Sequence, residues 1–401
     1  MVRKQVWLWA PWAPAVSILA SVVSSIYIVA FGQHLPIIDF TIFYKATTAF
    51  GHGTSPYGVT GYFYSPLFAW ALQPLSWFGI ADARVVWYVV QIAALAGLTW
   101  SAIIASGSQI ARRYWGVVWL GVVLAIPSRL DLILGQTGGL VALMIVGSYA
   151  ARRRPWLAGT LLALAAMIKV YPAVLWLFFL LWHRRVARHT VVAGIILLAF
   201  SMAICGPMMH REWIDTLLGG EPYPTMAEHN NSLVGFWLRL LTVNPYVQPL
   251  ANAPWLAYTL LGVSSLAVIG CCAWTYGHRS DRQLEALHYS AWLCAMSLLA
   301  PANGIYNLMF LVFPCLTMVH ALEQRPNRTV RSILLLLTMP CYMPLVSTFI
   351  QAVAPGISIW HISWLALVFT PPLYALVGYF TLLVSLGSNR QATSELQAER
   401  R

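Results

Sequence analysis

A single carboxylate, Asp39, follows the first apolar stretch, within Pro36-Ile37-Ile38-Asp39-Phe40-Thr41-Ile42-Phe43-Tyr44-Lys45. The chain has only 12 acidic residues among 401, so an acid placed at a membrane face is a candidate for chemistry before solvation. The chemistry open to a lone acid there is proton transfer. Its other reading is an N-cap, accepting backbone N–H groups where a helix begins. Lys169, in Lys169-Val170-Tyr171-Pro172, and the pair Arg129 and Asp131 likewise interrupt apolar runs. Lys169 can also snorkel from a helix end, and Arg129 with Asp131 fits a polar turn.

The elements that must position these groups follow from composition. With 59% hydrophobic and 9% charged residues and a mean hydropathy of +0.70, the chain reads as an all-α, polytopic membrane protein. The net charge of +12 does not point to nucleic acid. The basic residues fall in short clusters between apolar runs, at Arg3-Lys4, Arg112-Arg113, Arg152 to Arg154, Arg184 to Arg188, Arg279 with Arg282, and Arg325 to Arg331. That is the positive-inside pattern of cytoplasmic loops.

A retained first span, Pro14 to Phe31, is followed by apolar runs near 63–80, 85–106, 115–133, 136–151, 156–182, 190–207, 254–276, 286–301, 306–322, 332–350 and 360–386, about twelve spans in all. The chain reads as one integral membrane domain, 1–401, with outer loops 32–62 and 208–253 and a cytoplasmic tail, 388–401. Keeping every basic cluster of the first half inside requires short segments that turn back. Lys169 to Pro172 in the run 156–182, and Gln73-Pro74 in 63–80, are the natural breaks. Broken helices at membrane depth are tolerated where they are buried in protein or line a cavity.

In the first outer loop Phe40, Phe43, Thr47 and Phe50 recur at helical spacing, so an interfacial helix is expected directly after Asp39. The second carries Glu212, Asp215, Glu221, Glu228, His229, Asn230, Asn231 and Arg239. No phosphate-binding Gly-rich loop, His-Glu-x-x-His or Gly-x-Ser-x-Gly occurs. The six cysteines lack metal-ligand spacing. No cofactor is expected, and a single carboxylate with scattered partners defines no metal site, which leaves metal dependence open.

Several short motifs, in order, resemble glycosyltransferase family 87. They are Asp39-Phe40-x-x-Phe43-Tyr44-x-Ala46, Pro56-Tyr57, Phe63-Tyr64-Ser65-Pro66-Leu67, Gly135-Gln136, Ala158-Gly159 running to Ile168-Lys169-x-x-Pro172, and Asn230-Asn231-Ser232 with Arg239 beyond. The resemblance covers about residues 14 to 320. It implies a GT-C fold, a polyprenyl-phosphate sugar donor and Asp39 as catalytic base. A phosphate leaving group departs as an anion without a general acid, while the acceptor hydroxyl needs a base. One carboxylate serves a single inverting displacement, where double displacement uses two. Lys169, Arg239 and Arg129 are the candidate cations for the donor phosphate. Tyr44, Lys45, Tyr57, Tyr64, Gln136, His229, Asn230, Asn231 and Asn303 are candidate substrate contacts.

Where the actinobacterial mannosyltransferases of this family carry a Ser-Pro-x-Ser-Trp-x-His-His stretch, this chain reads Ala300-Pro301-Ala302-Asn303-Gly304-Ile305-Tyr306-Asn307. The histidines are absent, and Asn303, Tyr306 and Asn307 offer a different polar wall. The expected activity is transfer of a hexose, with mannose first, from a polyprenyl phosphate to a lipid-linked or glycan acceptor. It is expected on the extracytoplasmic face of a bacterial plasma membrane. Competing readings are a transporter or lipid flippase, a polyprenyl-linked glycan polymerase or ligase, and a family member using another sugar such as arabinose. A transporter would be expected to show paired interruptions in two related halves. The chain shows no such repeat.

Overall fold

The computed structural model describes residues 10–32, 37–219, 226, 230–245, 248–276, 282–324, 377, 378, 380, 381 and 384. Among these the secondary structure is helical, with no strand. The expected contact His229, the acids Glu221 and Glu228, the run 332–350, most of 360–386 and the tail 388–401 lie outside the described residues.

Helix α1, Ala13–Gly32, is 20 residues long. At 1.5 Å per residue that matches the hydrocarbon thickness of a bilayer. Its large apolar side chains, Ile18, Leu19, Val22, Ile26 and Val29, are exposed, while the small residues Ser17, Ala20 and Ser24 are buried. This arrangement suits a lipid-facing helix. Small residues let the backbones of neighbouring helices approach closely, and large apolar ones meet lipid.

Helix α2, Ile38–Gly51, is the helix expected after Asp39 and buries Phe40, Phe43, Ala46 and Thr47. Two short pieces follow, α3, Pro66–Ala71, and a 3₁₀ turn, Gln73–Trp77. The run 63–80 therefore does not cross as one helix, and Pro66 and Pro74 start its two fragments. Helix α4, Ile80–Ser106, then α5, Gln109–Arg113, α6, Trp115–Leu124, and α7, Ile126–Leu134, lead to α8, Gly138–Ala150. Helices α6 and α7 meet at a bend of 56°. Helix α9, Pro155–Ile168, stops at Lys169, whose extended backbone and the 3₁₀ turn Tyr171–Val174 separate it from α10, Leu175–Trp182. The break lies where Lys169 to Pro172 interrupts the apolar run. Proline biases the residue before it away from helix, and its ring denies a backbone donor.

Helix α11, Arg184–Gly219, continues into the stretch 208–219 of the expected second outer loop. It resumes there beyond a break at Gly206, whose φ is 76°. Pro207 suits the first position of the resumed segment. His210 joins the two sides, with its ring nitrogens 2.9 Å from Ser201 Oγ and 2.8 Å from the Gly206 carbonyl. Helices α12, Leu233–Leu241, α13, Pro254–Tyr276, α14, Arg282–Leu299, and α15, Val312–Gln324, complete the described chain.

Four described helices, 13–32, 80–106, 184–219 and 254–274, are long and apolar enough to cross a membrane, or five if α6 and α7 count as one bent span. The other apolar helices among the described residues, such as Gly138–Ala150 and Pro155–Ile168, are shorter. The larger core contains stacked Tyr149 and Tyr289 with Phe178, Phe313 and Trp292. A second core packs Phe40 and Phe43 of α2 against Phe68 and Trp87. This smaller core holds α2 to α3 and α4, and so sets where Asp39 stands.

Candidate functional site

Asp39 lies in the first turn of α2, one residue inside the helix, and does not cap it. The N-cap is Ile37, in the left-handed region with φ 44° and no side-chain capping bond. Ile37 N donates to the Ile133 carbonyl at 3.0 Å, which ties the start of α2 to the end of α7. The side chain of Asp39 is therefore available to tertiary partners. Gln136 Nε2 donates to Asp39 Oδ2 at 2.6 Å. The other end of that amide, Oε1, accepts from the Tyr64 hydroxyl at 2.9 Å. A phenol is neutral at physiological pH, so Tyr64 serves as a donor. Tyr57 in turn donates to the Tyr64 carbonyl at 3.0 Å.

Lys169 sits near Tyr64, in the break between α9 and α10. Its Nζ lies 5.9 Å from the Tyr64 ring centre and 5.3 Å from that of Tyr306. It donates to Asn307 Oδ1 at 2.7 Å. Its charge is within electrostatic reach of both Asp131 and Asp39. A base candidate, a cation, an amide and two phenols thus meet at the junction of α2, the α7–α8 turn and the broken α9.

Next to them lies an apolar cavity of about 370 Å³, lined among others by Ser65, Phe68, Leu75, Leu140, Met144 and Ile168. Ser65 and Ile168 adjoin Tyr64 and Lys169 in sequence, so the apolar space borders the polar cluster. Among the described residues no group of three or more His, Cys, Asp and Glu could hold a metal ion.

Asn230, Asn231, Asn303 and Arg239 form a second cluster. Asn303 N donates to Asn230 Oδ1 at 2.8 Å, Asn231 N to the Asn303 carbonyl at 2.8 Å, and Arg239 Nη1 to the Asn230 carbonyl at 2.9 Å. Arg239 is buried there, its guanidinium bonded to the loop that carries Asn230. Asn303 and Asn307 belong to one turn, Asn307 N donating to the Gly304 carbonyl at 2.9 Å. That turn joins the two clusters through Lys169.

Three of the expected residues stand apart. Arg129 is exposed, with its guanidinium 5.8 Å from the Phe31 ring centre. Residues 129 and 131 differ by about 200° around a helix, so burying Asp131 turns Arg129 outward. Tyr44 donates to the Phe78 carbonyl at 2.8 Å, and Lys45 is exposed. The site also holds groups absent from the expected set. Asp131 is fully buried, and Gln91 and Trp87 of α4 bond to the turn that carries Gln136. Their sequence signal is a polar or charged residue inside an apolar run. Asn307, named only as part of a polar wall, is the partner of Lys169.

Residues 62–301 match the sequence model of glycosyltransferase family 87. The chain is 25% identical over 328 residues to a polyprenol-phosphate-mannose-dependent alpha-(1-2)-phosphatidylinositol pentamannoside mannosyltransferase of Mycobacterium tuberculosis, covering 79% of this chain and 72% of that protein. Its counterpart in Mycolicibacterium smegmatis is also 25% identical, over 79% of this chain and 75% of that protein. A GPI mannosyltransferase 1 of Aspergillus fumigatus is 31% identical over 172 residues, which span only 37% of its length. The family match covers more than half of the sequence and includes Tyr64, Gln136, Lys169 and Arg239, and the chain belongs to glycosyltransferase family 87.

Proposed function

We propose that this glycosyltransferase moves mannose from a polyprenyl phosphate to a glycolipid acceptor, in one integral membrane domain of GT-C type, on the extracytoplasmic face. The observation that carries the reading is the joint placement of Asp39 and Lys169 around Tyr64, beside an apolar cavity. Lys169 suits the donor phosphate, since a cation at a developing phosphate anion favours departure. The cavity suits the isoprenoid carbons next to that phosphate. The acceptor hydroxyl attacks the anomeric carbon from the side opposite the phosphate. The new C–O bond forms as the bond to the phosphate oxygen breaks, and the hydroxyl proton passes to Asp39. One displacement inverts the anomeric centre. Tyr64 and Gln136 orient Asp39, and the turn from Asn303 to Asn307, held by Asn230 and Arg239, forms the opposite wall. The mannose is taken from the relatives, whose names specify it.

The purified protein, incubated with radiolabelled polyprenyl-phosphate mannose and total membrane lipid, should transfer label to a lipid. Labelling from a nucleotide sugar but not from the polyprenyl phosphate would refute the donor assignment. Transport of the donor across a vesicle membrane with no labelled lipid would refute the enzymatic one.

A further inference from the structure

Asp131 has no part in the displacement above, yet it is fully buried and makes more hydrogen bonds than Asp39 does. Its Oδ1 accepts from Gly138 N at 2.8 Å, and its Oδ2 from Gly139 N at 3.3 Å and from Gln91 Nε2 at 3.4 Å. The two backbone donors are the first N–H groups of α8, where a negative charge is favoured by the helix dipole. The carboxylate fits only because residue 138 has no side chain. A Cβ there would come within 2.6 Å of Asp131 Oδ1 and 2.7 Å of the Tyr306 carbonyl.

These bonds close the turn that carries Gln136. On the α7 side, Gln136 N donates to the Asp131 carbonyl at 2.9 Å. From α4, Gln91 Nε2 reaches the Gln136 carbonyl at 2.9 Å and the Asp131 carbonyl at 3.0 Å. With its backbone held at both ends, Gln136 presents its amide to Asp39 in one orientation. Turning the amide over would set Oε1 against the Asp39 carboxylate, two acceptors face to face. Gln136 occupies Oδ2, and among the described residues Oδ1 of Asp39 has no hydrogen-bond partner.

Resting on the reading of Asp39 as base, we propose that Asp131 is a positioning residue. Acting through the Gly135 to Gly139 turn and Gln136, it fixes Asp39 so that Oδ1, the oxygen left open, faces the acceptor hydroxyl and takes its proton. Asp131 itself touches no substrate.

The test is a double-mutant cycle in the transfer assay, with full-length protein and polyprenyl-phosphate mannose as donor. Asp131→Asn puts an N–H₂ against N–H donors and loosens the turn. It should lower kcat by about 10- to 100-fold, the cost of an ångström-scale misplacement, with the donor KM within about 2-fold. Gln91→Met, which removes only the α4 anchor, should give the same split with a smaller fall, and carries the test if Asp131→Asn does not fold. In a Gln136→Ala background the relay is already cut, so either substitution should change kcat by less than about 2-fold. Full multiplicative losses in that background, or a raised donor KM at unchanged kcat, would overturn the proposal. Asp39→Asn, run alongside, separates the two claims. If it abolishes transfer while the cycle is multiplicative, only the positioning role fails. If it leaves transfer intact, the base assignment fails and the positioning role with it.

Discussion

Gly135 ends α7 in the left-handed region, with φ 71°, at the point where the α7–α8 turn passes under the first turn of α2. A Cβ at this position would collide with Ile37 Cγ2 and lie 2.8 Å from Phe40 Cβ and 3.3 Å from Phe40 N. Gly135→Ala therefore carries two penalties. The left-handed conformation costs a residue with a Cβ about 1–2 kcal/mol. Overpacking against α2 adds about 1–3 kcal/mol, and the reduced entropy of the unfolded chain returns about 0.4–1 kcal/mol. The net loss is about 1–5 kcal/mol. It acts beside Asp39, because Ile37 and Phe40 flank that residue. If α2 backs away by about 1 Å, transfer falls by about 100-fold in the protein that remains folded. Thermal unfolding in detergent, read together with transfer per folded molecule, measures both effects. Gly121→Ala is the control. It sits on α6 in open space, and there alanine is about 1 kcal/mol better than glycine. A Gly135→Ala protein that melts with wild type and transfers at the wild-type rate would refute the close packing of α2 on this turn.

Three further outcomes follow from the placement of the cations. Lys169→Ala should raise the donor KM by about 10- to 100-fold, from the roughly 1.5–3 kcal/mol of a hydrogen bond to a charged group, and leave the acceptor KM unchanged; equal rises would make Lys169 structural. Arg129→Ala should leave both constants within about 2-fold, because its described contact is the Phe31 ring, and a large rise in donor KM would put it in the phosphate site. Arg239→Met should lower the melting temperature through loss of the bond to the Asn230 carbonyl, about 1–3 kcal/mol. An unchanged melting temperature with a raised donor KM would contradict that supporting role.

What could be read from sequence was local. The spacing of Phe40, Phe43 and Thr47 announced α2, and Lys169 to Pro172 announced the break in the apolar run, because helical periodicity and proline chemistry act within a few residues. Asp39, Gln136, Tyr64 and Lys169 were each legible as polar groups in or beside apolar segments. Their grouping was not. Gln136 is 97 residues from Asp39, and Asn307 is 138 from Lys169, separations across which no periodicity speaks. Asp131 looked like half of a polar turn with Arg129. Only the direction of α7 decides that the acid points inward to α8 while the arginine points out. The continuation of α11 to Gly219 was likewise hidden, since Gly206-Pro207 reads as an end where the chain bends and resumes.

The central claim is that Asp39 removes the acceptor proton as the sugar leaves polyprenyl phosphate. Single-turnover transfer by Asp39→Asn, with saturating polyprenyl-phosphate mannose and acceptor, tests it most directly. Asparagine keeps the size of the side chain and an oxygen for Gln136 Nε2, so folding and donor affinity should be retained while the rate falls by about 10²- to 10⁴-fold. A rate within a few-fold of wild type would contradict the account.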